Sequence, residues 1–259
     1  MKIRFQFSIF SLLMFCCTPT YVFAAPASVI HIYEFNSSYT DSLGGSAIVP
    51  TGSGGSLTAT EYVFGTADGL SLSNGVNSTE YSIEMLFHID VADNGYVKFI
   101  DFKNLTSDNG LYNYNTDLYF YDEAEGPTGV INNGTTVHVV LTRDTATQEV
   151  VGYVNGAQQI TFTDTSNLAV FNATNNIINF FADDTTTSGQ EDSSGAVDRI
   201  RIYSGVLTPP QVTNLYNGGE PPAPTSASIP TMTQWGMIIL TLLIGFAAII
   251  SIRKQKLAI

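Results

Sequence analysis

Residues 81–90 read Tyr81-Ser82-Ile83-Glu84-Met85-Leu86-Phe87-His88-Ile89-Asp90, and their alternation decides the fold class. Successive side chains of a strand point to opposite faces. Ile83, Met85, Phe87 and Ile89 therefore fall on one side, and Ser82, Glu84 and His88 on the other. At helical spacing the two sets would mix. The stretch is expected to be a strand with one buried side.

Outward from it, runs of the same kind recur at 96–102, 118–122, 136–142, 149–154, 158–162, 177–181 and 196–203. Arg143-Asp144-Thr145-Ala146 joins one pair of runs, and Asn155-Gly156 joins the next. Both residues of an Asn-Gly pair tolerate positive φ, which a tight hairpin requires. One helix is expected: Thr208-Pro209-Pro210 starts it, and Gly218 stops it after Tyr216. Hairpins without intervening helices imply an all-β, antiparallel sandwich of two sheets packed face to face.

The strings YSIEMLFHI, TTVHVVLTRD, GYVNGAQ and GAVDRIRIYSGVLTPPQVTNLYNGG stand in that order along the chain. They resemble the signature strands of the laminin G-like, concanavalin A-like jelly roll. Tyr33-Glu34-Phe35 and Asp41-Ser42-Leu43-Gly44 are similar to that family's opening strand and turn. The resemblance implies a jelly-roll domain over residues 25–217, long enough for one real core.

Both ends of the chain point to export. Lys2 and Arg4 precede an apolar run from Phe5 to Phe15, and Val22-Phe23-Ala24 offers small residues where a signal peptidase reads. This predicts a signal peptide over 1–24. Cys16 and Cys17, the two cysteines, lie within it, so the mature chain has no disulfide, thiol nucleophile or thiolate metal site. At the other end, a Pro-rich linker over 218–228 leads to residues 229–259. Trp235 to Ile252 carries no charge for 18 residues, and Arg253, Lys254 and Lys256 follow. That pattern predicts a transmembrane helix with its basic end on the cytoplasmic side. Ile229, Pro230, Thr231, Met232, Trp235 and Gly236 precede and enter it. Motif, span and basic end together resemble the exosortase-type sorting tail of Gram-negative bacteria, in its IPTL-x-x-WG variety. Met232 replaces a Leu of similar volume. The resemblance implies a membrane-embedded processing enzyme as partner, and a place at the cell envelope, surface or extracellular matrix.

All 23 acidic residues lie between Glu34 and Glu220, and five of the ten basic ones lie in the exported part, whose net charge is 5 − 23 = −18. Such a surface repels nucleic acid and invites cations, although acidity also serves solubility.

Glucanases of this fold place paired carboxylates on one strand. Asp122, Glu123 and Glu125 do not reproduce an E-x-D-x-x-E spacing. Glu80 and Glu84, four residues apart, stand about 13 Å from one another, too far for a hydrolytic pair. Glu84 is instead expected to be a solvated or hydrogen-bonded face residue. No G-x-S-x-G or H-E-x-x-H occurs, and of His31, His88 and His138 the last sits among Val137, Val139 and Val140 as a structural histidine. The chain is read as non-enzymatic.

Two kinds of ligand remain. Many laminin G-like domains carry Ca²⁺, which takes hard oxygen donors. Asp41 in the D-x-x-G turn, Asp183 and Asp184 in an acidic loop, and Asp198 in V-D-R-I-R-I-Y are the candidates, with Asp198 alternatively accepting backbone N–H bonds or pairing with Arg199 or Arg201. Sugars need flat aromatic faces beside polar groups. Tyr112, Tyr114, Tyr119 and Tyr121, interleaved with Asn113, Asn115 and Asp117, offer them. If Phe120 enters the core, Tyr119 and Tyr121 face outward, either as a sugar platform or as cross-strand aromatic packing. The expected function is surface or matrix binding of an extracellular glycan or another surface protein. The alternatives are a structural matrix component or a polysaccharide-acting enzyme.

Overall fold

The computed structural model describes residues 27–76, 79–171, 176–187, 189–223, 239–240 and 242–244. The signal segment, the sorting motif Ile229, Pro230, Thr231, Met232, Trp235 and Gly236, the basic end and most of the expected span lie outside the described residues. Among the described residues no helix is long and apolar enough to cross a membrane.

The described strands are β1 (Ser28–Tyr33), β2 (Val49–Thr51), β3 (Ser56–Leu57), β4 (Tyr62–Phe64), β5 (Gly69–Leu72), β6 (Tyr81–Ile89), β7 (Tyr96–Asp101) and β8 (Gly110–Tyr114). They continue with β9 (Asp117–Tyr121), β10 (Ala124–Glu125), β11 (Val137–Arg143), β12 (Glu149–Val154), β13 (Ala157–Thr163), β14 (Ile178–Phe180) and β15 (Gly195–Ser204); helix α1 (Pro209–Tyr216) follows. One sheet runs β13-β12-β11-β6-β15-β4-β3, with β1 added against β15; the other runs β10-β9-β8-β7-β14-β5-β2. Every pairing is antiparallel.

Alternation builds the core between the sheets. Ile83, Met85 and Phe87 of β6, Leu111 of β8, Leu118 and Phe120 of β9, and Ile200 and Ile202 of β15 are essentially inaccessible. Phe87 stacks edge-on against Phe99 at 4.7 Å and Phe181 at 5.0 Å, pairs worth about 1 kcal/mol each beyond the area they bury. A bulge in β7 between Lys98 and Ile100 lets Phe99 and Ile100 both enter this core. The turn from β12 to β13 has φ of 50° at Asn155 and 79° at Gly156, as the Asn-Gly pair predicts.

The expectation of one buried side for β6 needs correction. Ser82 and Glu84, on the face away from the core, are also completely buried. The cause is α1, which folds back over this face so that Val212 and Leu215 pack with Val29, Val140, Tyr153 and Tyr203 in a second apolar cluster. Prolines open the helix, Gln211 accepts from the Thr208 N–H at 2.8 Å, and Gly218 at φ 80° ends it.

Covering Glu84 obliges the fold to satisfy a carboxylate. Its oxygens accept from His138 Nε2 at 3.2 Å, Arg199 at 3.2 Å and the Tyr203 hydroxyl, with Arg201 at 3.7 Å. Burial alone would raise its pKa. The His138 and Tyr203 hydrogen bonds and the Arg201 charge outweigh burial and bring it to about 2. Glu84 and His138 are thus hydrogen-bonded residues of a covered sheet face.

Candidate functional site

With Leu111, Leu118 and Phe120 in the core, Tyr112, Tyr114, Tyr119 and Tyr121 stand on the outer face of the seven-stranded sheet. Register sets Tyr112 opposite Tyr119, and it brings Tyr96 of β7 opposite Tyr114. The result is a tile of five rings centred on Tyr96. Its ring stacks on Tyr114 at 4.3 Å and lies 5.8 Å from Tyr112, 5.9 Å from Tyr119 and 6.1 Å from Tyr121. Tyr112 forms the buried floor, its hydroxyl donating to the Asp108 carbonyl at 2.9 Å. The other four are half-exposed. Mutual packing and an open aromatic surface therefore coexist.

Carboxylates border the tile. Glu125 lies beside Tyr119 in the ladder, Asp117 beside Tyr114, and Asp122 accepts from the Tyr119 hydroxyl at 3.2 Å. Burial, reinforced by Asp122, raises the Tyr119 pKa, so the ring stays a neutral phenol. Aromatic faces ringed by acceptors suit a pyranose, which has apolar CH faces and a rim of hydroxyl donors. Tyr96 is absent from the sequence-level candidates because a lone Tyr before Val97-Lys98-Phe99 carries no local signal. Only its register against Tyr114 places it.

At the tile's inner margin Lys98 is fully buried, its Nζ 5.2 Å from the Tyr112 ring centroid and 3.1 Å from Asp184 Oδ2. Asp184 joins Asp108 and Glu191 in a cluster whose carboxylate oxygens lie within 4.8 Å of one another. Burial pushes Glu191 and Asp183 up. Asp184 would move the same way, but hydrogen bonds from Thr187 and Thr186 hold it far below the usual range. These donors and the Lys98 ammonium occupy both of its oxygens, so the set fits Ca²⁺ poorly. Asp183 accepts from the Asp184 and Glu191 N–H groups.

The other two acids expected to hold metal lie apart from this cluster. Asp41 accepts from Ile32, Leu43 and Gly45 N–H groups at 2.9–3.0 Å and meets His31 Nδ1 at 2.8 Å, which pins the turn after β1. Asp198 is the extra residue of a bulge in β15 and pairs with neither Arg199 nor Arg201. Their guanidiniums reach Glu84 and Glu34 instead. The expected Asp198 pairing fails because the bulge breaks the alternation that would align them.

The five lysines and arginines among the described residues are all paired or hydrogen-bonded within the fold. Lys98 meets Asp184, Arg143 meets Asp164 at 2.9 Å, Lys103 donates to the Asn167 and Val170 carbonyls, and the two arginines of β15 serve Glu84 and Glu34. Exposed charge is left to carboxylates. Among them, Glu123 and Glu125 are exposed, at a turn and on the sheet's edge strand.

Comparison with known proteins agrees with this geometry. The family model described as the concanavalin A-like lectin/glucanases superfamily matches residues 64–213, and the IPTL-CTERM motif matches residues 227–254. The second match implies processing by an exosortase-type enzyme and fits a cell-surface exported protein. No curated protein matches the chain by sequence. Among solved structures, domain 4 of AbnA, an extracellular arabinanase of Geobacillus stearothermophilus, in complex with arabinotriose, is similar with a TM-score of 0.58 and 22% identity, over 74% of this chain and 100% of that one. Trypanosoma rangeli sialidase is similar at 0.53 and 15%, over 73% of this chain and 32% of that one. The binding domain of botulinum neurotoxin serotype D is similar at 0.53 and 14%, over 74% and 52%. The chain thus spans all of the first but only a third to a half of the other two. By fold and by family match, the chain belongs to the concanavalin A-like lectin/glucanases superfamily.

Proposed function

We propose that this is an exported, surface- or matrix-associated binding protein, without catalytic activity, that holds a neutral extracellular glycan on the tyrosine tile. The observation that carries the reading is the tile itself: five tyrosines around Tyr96, four of them half-exposed, on a sheet face bordered by acceptors. Charge supports the class of glycan. With all five cations already engaged by carboxylates or carbonyls, an anionic polymer finds little unpaired positive charge, whereas neutral hydroxyls can donate to the bordering carboxylates. The arabinotriose held by a domain of similar fold supports a sugar as ligand. Delivery follows the tail: Arg253, Lys254 and Lys256 keep the C-terminal end on the cytoplasmic side while the sandwich folds outside, until the exosortase-type enzyme acts near the motif.

The test is binding of the purified full-length protein in detergent to an array of neutral and acidic glycans, with a Tyr96→Ala/Tyr119→Ala variant alongside. Capture of neutral glycans, weakened at least about tenfold in the variant at an unchanged fold, is the expected result. Undiminished binding in the variant overturns the site. Flat responses to every glycan favour the second reading, a structural matrix component, in which the mutual stacking of the tile only rigidifies the sheet.

A further inference from the structure

Among the described residues, Lys98 is the one primary amine in an ion pair with a carboxylate; the other pairs use arginines or histidines. It stands on β7, and the loop that follows β14 brings Asp184 against it from 86 residues further along the chain. Both side chains are wholly inaccessible, and Nζ lies 3.1 Å from Asp184 Oδ2. Taking two charges out of water is costly, and the attraction between them often no more than offsets that cost. A buried amine and carboxyl in contact can do something an arginine pair cannot. They can condense to an amide.

The surroundings favour that step. Holding the two groups in contact turns a bimolecular encounter into a unimolecular one, and burial keeps away the water that would reverse it. Asp184 Oδ1 accepts from the Thr186 N–H at 2.8 Å, the Thr187 N–H at 2.9 Å and the Thr186 hydroxyl at 2.9 Å. Fixed donors therefore already face the oxygen on which negative charge grows when the carboxyl carbon is attacked. Oδ2, on the lysine side, takes only Nζ and the Thr187 hydroxyl at 2.9 Å. The Ser107 carbonyl at 3.4 Å and the Tyr112 ring hold Nζ from its other sides. Asp108 and Glu191 complete the cluster, with carboxylate oxygens within 4.8 Å of that of Asp184, and burial pushes Glu191 up, which suits it to carry a proton.

We propose that Lys98 and Asp184 condense, without any other enzyme, into an intramolecular isopeptide bond, with Glu191 relaying the protons. Nζ bonds to Asp184 Cγ and the Cγ–Oδ2 bond breaks. Two of the three ammonium hydrogens pass to Oδ2, which leaves as water, and the third stays on the amide nitrogen. The sum is the same whichever partner holds the shared proton at the outset, and no oxidant or cofactor is consumed. Two opposite buried charges disappear. No cysteine follows Cys17, so a disulfide cannot staple the sandwich; an amide closing an 86-residue span restricts the unfolded chain in the same way. It ties β7, which carries Tyr96, to the loop that carries Glu191. The inference stands independently of the glycan reading.

The test is mass spectrometry of the full-length protein purified in detergent, intact and after denaturation and protease digestion. The expected result is a chain lighter than its sequence by one water, with the peptide holding Lys98 joined to the peptide holding Asp184. Lys98→Arg, which keeps the cation but has no primary amine, should show neither the loss of water nor the link, and Glu191→Gln should show the link in a smaller fraction of folded chains. The wild-type measurement needs no variant to fold. Lys98 and Asp184 recovered on separate peptides from the folded wild type overturn the proposal and leave a buried ion pair. A link from Lys98 to Asp108 or Glu191 overturns it too, and a link equally complete in Glu191→Gln overturns the relay.

Discussion

Glu84→Gln isolates the charge that the covering of β6 buries. The Glu84 pKa falls from 4.5 to about 2 on folding, so the unfolded chain binds the proton more readily than the native one. The stabilisation is therefore fully present above about pH 4.5 and is lost as the pH falls through about 2. A displacement of that size corresponds to about 3 kcal/mol at neutral pH. Glutamine keeps the shape and can still accept from Tyr203 and Arg199, but it cannot change charge. Chemical unfolding of both proteins between pH 6 and pH 2 should show the variant less stable by about 3 kcal/mol at pH 6, or roughly 6–12 °C in melting temperature. The two stability curves should converge near pH 2, because every other acid titrates alike in both. Curves that stay parallel across that range would refute the assignment of Glu84 as the ionised centre of the network.

Gly195→Ala should cost about 2–3 kcal/mol in urea unfolding, since a Cβ there would stand 2.2 Å from the His88 carbonyl oxygen, backbone that cannot yield. Arg143→Ala should cost about 3–5 kcal/mol by leaving Asp164 buried without its cation, and a loss under 1 kcal/mol would contradict the pair's isolation from solvent. Calcium at millimolar concentration should leave the melting temperature unchanged, because Lys98 and the threonine donors already occupy the Asp184 oxygens; a rise of several degrees, abolished in Asp184→Asn, would show that the ion displaces the ammonium.

Which parts of the molecule were legible in the linear chain follows from the range of the forces involved. Period-two alternation in 81–90, the Asn155-Gly156 turn and the proline-opened helix at 209 are local, and each appears in the structure where its residues predict it. Short strands such as β3 and β10, two residues each, carry too few positions for a period to show. Strand β8 was hidden differently. Its residues Gly110-Leu111-Tyr112-Asn113-Tyr114 begin with a glycine and hold an asparagine that is buried only because its amide donates to the Ala92 carbonyl at 2.7 Å.

The sites divide along the same line. Tyr119 and Tyr121 announce themselves by alternation with Leu118 and Phe120, and Tyr112 and Tyr114 by their interleaving with Asn113 and Asn115, but the hub does not. Tyr96 reaches Tyr114 through a ladder between β7 and β8, and no residue near Tyr96 in sequence encodes that register. The strong negative charge, the placing of both cysteines in the first 17 residues and the sorting motif at the far end are properties of composition and of the two ends, so the sequence alone determined them. Tertiary structure decided which carboxylates are free. Asp41, Asp184 and Glu84 look alike in a string of letters, yet packing surrounds them with turn N–H groups, a lysine and two arginines respectively, because a buried charge persists only where the fold supplies its partners.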